Sequence, residues 1–214
     1  MKLIKPSYTI LSKIDIQLLR NIERAGRTCY KSEEKITEDS ARAFVEKIIK
    51  SGHESVIEHQ SISVLFVCDR GVSHEIVRHR LASFSQESTR YCNYFKDKFD
   101  NQITFIIPEW FNAVKIEKMN RSILSATEGI WYDAMADSEI NYHDLIQEGW
   151  QPQQARSVLP NSLKTEIVVT ANLREWRTIF KQRTSPAAHP QMRELMIPLL
   201  AELKTLIPVV FDDL

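Results

Sequence analysis

Glycine is scarce in this 214-residue chain, and its scarcity excludes the common phosphate-binding loops. The five glycines are widely separated: Gly26, Gly52, Gly71, Gly129 and Gly149. A dinucleotide-binding turn requires the pattern Gly-x-Gly-x-x-Gly. A Walker phosphate loop requires the pattern Gly-x-x-x-x-Gly-Lys followed by Ser or Thr. Neither pattern occurs in the sequence. A nucleotide bound by this protein must therefore be held by side chains.

Cysteine, long apolar runs and net charge are also lacking. The three cysteines (Cys29, Cys68 and Cys92) contain no Cys-x-x-Cys pair, which favours reduced thiols in a cytoplasmic protein. No apolar run approaches the roughly 20 residues of a membrane span, and Met1 to Pro6 is not expected to be a signal peptide. The formal net charge is zero, so neither nucleic acid nor a membrane is an expected partner.

The hydrophobic patterns predict one α+β domain over residues 1–214, with a central mixed or antiparallel sheet flanked by helices. Alternating or continuous apolar runs predict strands at 4–11, 61–68, 102–107 and 163–171. Apolar positions every three or four residues predict helices at 14–25, from a Thr37 cap to Ser51, and at 72–81, 151–158, 173–182 and 189–206. A long helical stretch is expected over 109–148, with a break near Gly129.

The segment from Arg78 to Tyr91 is the most informative part of the chain. It holds three arginines, a histidine, three serines, a threonine, a glutamine and a glutamate in fourteen positions. Guanidinium groups suit phosphate and carboxylate, while hydroxyls and amides suit sugar and base edges. Surface pairing of Arg78, Arg80 and Arg90 with nearby carboxylates is the alternative. The position of His79 between two arginines favours a nucleotide-like ligand.

Two other clusters contain groups that could carry chemistry. His53 and His59 lie six residues apart, about 120° off one helix face, which does not favour a metal site. On a predicted helix, Arg174, Arg177 and Lys181 recur at spacings of three and four and form either a solvated face or further phosphate contacts.

Two residues near the arginine-rich segment could act as nucleophiles. Ser88 lacks a Gly-x-Ser-x-Gly elbow and an evident positioned base. Cys92 follows Arg90, whose charge could lower the pKa of its thiol, but a buried and inert Cys92 is the alternative.

Five blocks of sequence together resemble the flavin-dependent thymidylate synthases. The blocks are Gly52-His53-Glu54-Ser55-x2-Glu58-His59, Arg78-His79-Arg80-x7-Ser88, Ala155-Arg156-x-Val158-Leu159-Pro160, Asn172-x-Arg174, and Arg183 followed by His189. They occur in the family's order and cover nearly the whole chain.

The resemblance implies an enzyme that makes dTMP from dUMP, with methylenetetrahydrofolate as carbon donor and FAD, which NAD(P)H reduces, as the source of the hydride. It also implies a homotetramer whose active sites are shared among subunits. The implied FAD-binding residues are His53, Ser55, Glu58, Arg78, His79, Arg80, Asn172, Arg174 and His189. The implied dUMP-binding residues are Arg78, Gln86, Glu87, Ser88, Arg90, Arg156 and Arg183. Ser88 and Arg183 are the expected catalytic residues, with Arg183 polarising the pyrimidine, and no metal is expected.

Two other functions remain as alternatives. A noncatalytic nucleotide- or nucleic-acid-binding module could be built on the arginine-rich segment, although a neutral chain without a continuous basic face disfavours it. A cysteine-dependent pyrimidine methylase would need Cys68 or Cys92 as its nucleophile.

Overall fold

A computed structural model describes residues 1–111 and 121–214, which form helices and open sheets of the predicted α+β class. The strands are β1 (Lys2–Ile4), β2 (Ser7–Ile10), β3 (Ser61–Asp69), β4 (Ala82–Gln86), β5 (Thr104–Ile106) and β6 (Lys164–Asn172). The helices are α1 (Ile16–Tyr30), α2 (Ser40–Lys50), α3 (Arg70–Ile76), α4 (Ala126–Gln147), α5 (Pro152–Ala155), α6 (Leu173–Arg183) and α7 (Pro190–Leu206).

The strands form two open sheets. One has the order β2-β3-β6-β4, and the other pairs β1 with β5 in parallel, with Leu3 opposite Phe105. Along β3 every second side chain is buried, including Ile62, Val64 and Phe66. This is the alternation expected of a strand with one buried face, and it confirms the prediction of a strand from residue 61.

The chain groups into two compact units, each with its own buried side chains. The first comprises Met1–Ser7, Val67–Glu75 and Gln86–Ile167, and the second comprises Tyr8–Phe66, Ile76–Ser85 and Val168–Leu214. In the first unit, Tyr94, Phe105 and Tyr142 belong to one buried cluster. In the second unit, the buried Trp176 indole donates from Nε1 to the Ile62 carbonyl at 3.0 Å. The single domain over 1–214 stays a prediction.

The helix before the arginine-rich motif is earlier and shorter than predicted. It begins at Arg70, directly after β3, because the Asp69 carboxylate accepts the Val72 N–H at 2.6 Å and satisfies a donor of the first turn. It ends at Ile76, so the predicted helix over 72–81 is wrong beyond that residue. Arg78, His79 and Arg80 therefore lie in a turn that leads into β4.

The long helical stretch also begins later than predicted. Helix α4 begins after Ser125 because Ser125 and Glu128 form a capping box, in which the Ser125 N–H donates to the Glu128 carboxylate at 2.8 Å. Residues 109–111 form no helix, and the prediction for 112–120 lies outside the described residues.

Gly129 is buried inside α4 and does not break it, contrary to the prediction. A Cβ at this position would overlap the guanidinium of Arg121. The missing side chain thus leaves room for Arg121, whose Nε donates to Asp133 Oδ1 at 2.7 Å.

Helix α2 is not capped by Thr37 as predicted. It begins at Ser40, and its N-cap residue is Asp39. The Ser40 hydroxyl instead accepts the Thr37 N–H at 2.9 Å and stabilises the turn that precedes the helix. Within the described ranges, no helix combines the length and the apolarity needed to cross a bilayer.

Candidate active site

The predicted catalytic residue Arg183 contacts the central histidine of the arginine-rich motif. Arg183 Nε donates to His79 Nε2 at 3.0 Å, and His79 is 6% exposed. Burial, and then the charge of Arg183, lowers the pKa of His79 to about 4. His79 is therefore neutral near pH 7, which is the state that can accept this hydrogen bond. Both residues belong to the second unit.

Glu175 lies on the other side of His79. Its Oε1 is 3.5 Å from His79 Nδ1, the nitrogen that carries the proton when Nε2 accepts. The Glu175 side chain is buried, and burial raises the pKa of its carboxyl group. The three side chains therefore form a row in which Glu175 faces one imidazole nitrogen and Arg183 binds the other.

Helix α6 supplies both outer members of this row. Its N-cap residue is Asn172, whose amide oxygen accepts the Glu175 N–H at 2.8 Å. Glu175 and Arg183 are eight residues apart, about 80° around the helix, so both can face one neighbouring side chain. No sequence motif indicated Glu175 as a site residue, although the spacing of Asn172 and Glu175 is a helix-start signal.

The two outer arginines of the motif differ from its histidine. Arg78 and Arg80 are exposed, whereas His79 between them is buried. Neither arginine forms an ion pair with any residue of the ranges 1–111 and 121–214. Two guanidinium groups that form no ion pair among these residues thus flank His79, and such a pair suits an anionic ligand.

Four of the predicted FAD-binding residues lie together in the second unit. His53, Ser55 and Arg174 line a cavity of about 350 Å³. Arg174 Nη1 donates to Glu58 Oε1 at 2.6 Å. Two others have different positions: Asn172 caps α6, and His189 is the N-cap residue of α7.

Three of the predicted dUMP-binding residues lie near one turn of the first unit. The Arg90 N–H donates to Ser88 Oγ at 3.3 Å, and the Arg90 guanidinium lies over the Tyr91 ring at 5.4 Å. Arg156 Nη1 donates to the hydroxyl of Thr89 at 3.1 Å. This turn therefore brings together two guanidinium groups and a serine hydroxyl. Thr89, which no sequence motif indicated, holds the Arg156 guanidinium in place through this hydrogen bond.

The side chains of Gln86 and Glu87 are already bonded within the first unit. Gln86 Nε2 donates to Ser73 Oγ at 2.9 Å. Glu87 accepts from the Tyr94 hydroxyl at 3.1 Å and from Lys164 Nζ at 3.0 Å. Burial, followed by the charge of Glu87, raises the pKa of Tyr94 far above its usual range. The predicted dUMP contacts of Gln86 and Glu87 stay predictions.

Two observations bear on catalysis by Cys68 and on metal binding. Cys68 is fully buried, and burial raises the pKa of its thiol to about 12, so it is no thiolate near pH 7. All three cysteines are free thiols. In the part of the chain that the structure describes, no three His, Cys, Asp or Glu side chains are grouped so as to hold a metal ion.

Known proteins match the chain over nearly all of the region that holds these residues. The family model for the thymidylate synthase complementing protein matches residues 15–209. The flavin-dependent thymidylate synthase of Geobacter sulfurreducens is 35% identical over 196 residues, or 88% of this chain and 78% of the relative. The Pyrococcus abyssi enzyme of that name is 34% identical over 171 residues (79% and 65%), and that of Mycobacterium avium is 32% identical over 200 residues (90% and 78%).

These matches define an enzyme class, and they agree with the arginine-rich site. The chain belongs to the family of flavin-dependent thymidylate synthases. The family resemblance drawn from the sequence blocks is thereby confirmed.

Proposed function

We propose that the protein makes dTMP from dUMP, with methylenetetrahydrofolate as carbon donor and NAD(P)H as the source of the hydride that FAD delivers. Family membership supports this reaction. The observation that carries it is the hydrogen bond between Arg183 and neutral His79, beside two arginines that form no ion pair with any described residue. This arrangement suits two phosphorylated ligands that meet at one histidine.

The residues present fit a flavin dinucleotide. Arg78 and Arg80 suit its pyrophosphate, because guanidinium groups bind phosphate oxygens through two parallel hydrogen bonds. His53, Ser55 and Arg174 line a cavity and offer it hydrogen-bonding groups. No glycine-rich phosphate loop occurs in the sequence, so side chains must hold the cofactor. When bound, FAD supplies the hydride.

We propose FAD-binding roles for Glu58 and His189 as well, and an indirect role for Asn172. Glu58 is hydrogen-bonded to Arg174 and fixes that guanidinium. Asn172 caps α6 and so orients the helix that carries Glu175 and Arg183.

Binding and polarisation of dUMP would fall to different residues. Arg90 and Arg156 lie near Ser88 and suit the nucleotide phosphate. The charge of Arg183 would stabilise negative charge as it develops on the pyrimidine, without a cysteine nucleophile. His79 and Glu175 would keep the Arg183 guanidinium in one orientation.

The assembly and location are parts of the same proposal. A homotetramer with active sites shared among subunits is expected from family membership. Size-exclusion chromatography with light scattering would measure the mass of the assembly. The three free thiols support a cytoplasmic location.

Flavin binding and product formation test the proposal. Purified protein supplied with FAD should show flavin absorption, oxidise NADPH, and release dTMP when dUMP and methylenetetrahydrofolate are added. The double variant Arg78→Ala/Arg80→Ala should bind FAD at least roughly tenfold more weakly, since each charge-assisted hydrogen bond contributes about 1.5–3 kcal/mol. Arg42→Ala, which removes an exposed arginine on α2, is the matched control. A colourless protein that binds nucleotide and forms no dTMP would instead be a noncatalytic module.

A further inference from the structure

A second, larger cavity lies within the second unit and is positively charged. It has a volume of about 650 Å³ and is lined mainly by residues of α1, α2 and the segment between these helices. Its lining includes Arg27, Lys35 and Lys47, together with the aromatic rings of Tyr30 and Phe44. No carboxylate occurs among the described residues that line it. The cavity therefore combines cations with aromatic walls.

The two lysines carry the positive charge that is available to a ligand. Lys35 and Lys47 are exposed, and neither forms an ion pair with any described residue. Lys50, on the same helix as Lys47, is different because its Nζ lies 2.6 Å from Glu46 Oε1. Lys50 does not line the cavity. An anion bound in this cavity would thus meet two ammonium groups that form no ion pair with any described residue.

Arg27 belongs to the wall of the cavity. Its Nη2 lies 3.0 Å from the buried carboxylate of Glu23, and its guanidinium lies over the Phe44 ring at 4.6 Å. Gly26 allows this packing, because a Cβ there would lie 2.6 Å from the Phe44 ring. The aromatic wall is consequently held by the α1–α2 packing and exists before any ligand binds.

The cavity adjoins the proposed flavin site. Tyr30, Ile48 and His53 line both this cavity and the 350 Å³ cavity that contains Ser55 and Arg174. A ligand that reacts beside the flavin can therefore extend past His53 towards the lysines. The ligand that this arrangement fits has an aromatic ring followed by several negative charges.

We infer that this cavity binds the tail of the folate substrate and selects folates that carry several γ-linked glutamates. The p-aminobenzoyl ring would pack against Tyr30 and Phe44, and the carboxylates of the additional γ-linked glutamates, beyond the first, would pair with Lys35 and Lys47. The inference rests on the proposed function, which supplies the folate. Phosphates of FAD or NADPH have the same combination of negative charge and aromatic ring, and the test separates them from the tail.

Two measurements on the FAD-loaded tetramer test the inference. The first is the KM for methylenetetrahydrofolate with one and with five glutamates. The second is calorimetric binding of p-aminobenzoyl-monoglutamate and p-aminobenzoyl-pentaglutamate, which requires no turnover. The wild-type protein should favour the pentaglutamate by roughly tenfold in both, because two exposed ion pairs each contribute a few-fold in affinity. Added salt should reduce this preference.

The matched variants decide the outcome. Lys35→Ala/Lys47→Ala should abolish the pentaglutamate preference and leave the monoglutamate KM within twofold, while Lys50→Ala should keep the preference. Equal use of both folates by the wild-type enzyme, or a preference that survives in the double variant, would overturn the inference. A rise in the FAD Kd or the NADPH KM with the preference retained would also overturn it and assign the lysines to a nucleotide. A pentaglutamate binding preference without dTMP formation would support the tail site and count against the proposed reaction.

Discussion

Arg183 Nε donates to His79 Nε2 at 3.0 Å across 104 residues of sequence. A protonated imidazole could not accept this hydrogen bond and would repel the guanidinium, so the contact requires neutral His79. Burial and the Arg183 charge favour that state, since they lower the pKa of His79 to about 4. The orientation of the proposed catalytic arginine is consequently tied to the protonation state of one histidine.

This histidine should make stability depend on pH below neutrality. The pKa of His79 is 6.5 when unfolded and about 4 when folded, so between these values the unfolded chain binds the extra proton. The free energy of unfolding should therefore fall as pH decreases, by roughly 2 kcal/mol from this group between pH 7 and pH 5. In His79→Gln this contribution should disappear, as measured by urea unfolding at both pH values.

The comparison of wild type with His79→Gln isolates the titration of His79 from the contributions of Glu175 and of other histidines. The raised pKa of Glu175 contributes in the opposite sense, with stability lost as pH rises above about 4.5, but the cause of that shift is burial, which His79→Gln should retain. His59→Gln, at an exposed position, should keep the wild-type pH dependence. Identical pH profiles for wild type and His79→Gln would show that His79 titrates normally.

Arg183→Ala should lower kcat by about 100- to 1,000-fold, the usual effect of removing a group that stabilises charge in a transition state. The dissociation constant for dUMP should change much less, because Arg90 and Arg156 are proposed to hold its phosphate. Steady-state dTMP formation and dUMP titration measure the two effects separately. Lys181→Ala, which removes an exposed cation from the same helix, is the control. Undiminished turnover with intact dUMP binding would exclude the proposed role.

Arg177→Met should destabilise the protein by roughly 3 kcal/mol, because it removes the charge-assisted hydrogen bonds that the buried Arg177 guanidinium donates, and such a bond contributes about 1.5–3 kcal/mol. Arg177 is 2% exposed, and its Nη1 and Nη2 each lie 2.6 Å from an oxygen of Asp213. Its Nε also donates to Glu54 Oε1 at 3.2 Å. Urea unfolding of Arg177→Met should be compared with that of Arg42→Met, at an exposed arginine whose loss should cost less than about 1 kcal/mol. Equal losses of unfolding free energy in the two variants would contradict a stabilising role for these hydrogen bonds.

Cys68→Ala and Cys92→Ala should each keep dTMP formation within about threefold of wild type. The burial that raises the pKa of Cys68 to about 12 leaves no thiolate to attack a pyrimidine. A cysteine-dependent methylase would lose all activity in one of these variants. Thermal unfolding of both proteins should be measured alongside, so that a loss of folded protein is not taken for a loss of chemistry.

Local patterns predicted much of the fold, and the errors have local causes. The strand from residue 61 and the helix from residue 173 were predicted because apolar periodicity depends only on neighbours in the chain. Helix α3 begins two residues earlier than predicted, because the Asp69 carboxylate accepts the Val72 N–H and caps the helix. Apolar periodicity does not reveal this cap. Gly129 indicates a helix break by residue type alone, whereas in the structure its missing side chain leaves room for Arg121, eight residues earlier.

The ligand chemistry could likewise be predicted from the sequence, but the partners of the site residues could not. Arg78, His79 and Arg183 were selected by residue type and order. Glu175 was missed because only folding places it beside His79. The sequence likewise does not indicate that Lys164, 77 residues away, donates to the Glu87 carboxylate at 3.0 Å.

The amino-acid sequence alone determined that this protein has no glycine loop for phosphate, that arginines must take that role, and that its ordered motifs resemble one enzyme family. Those properties depend on residue types and spacing. The tertiary structure decided that His79 is buried and neutral, that Arg183 binds it, and that Lys35 and Lys47 line one cavity with no carboxylate among its described lining residues. Burial and pairing between distant residues set these states, because desolvation and charge act through space and are not encoded in local spacing.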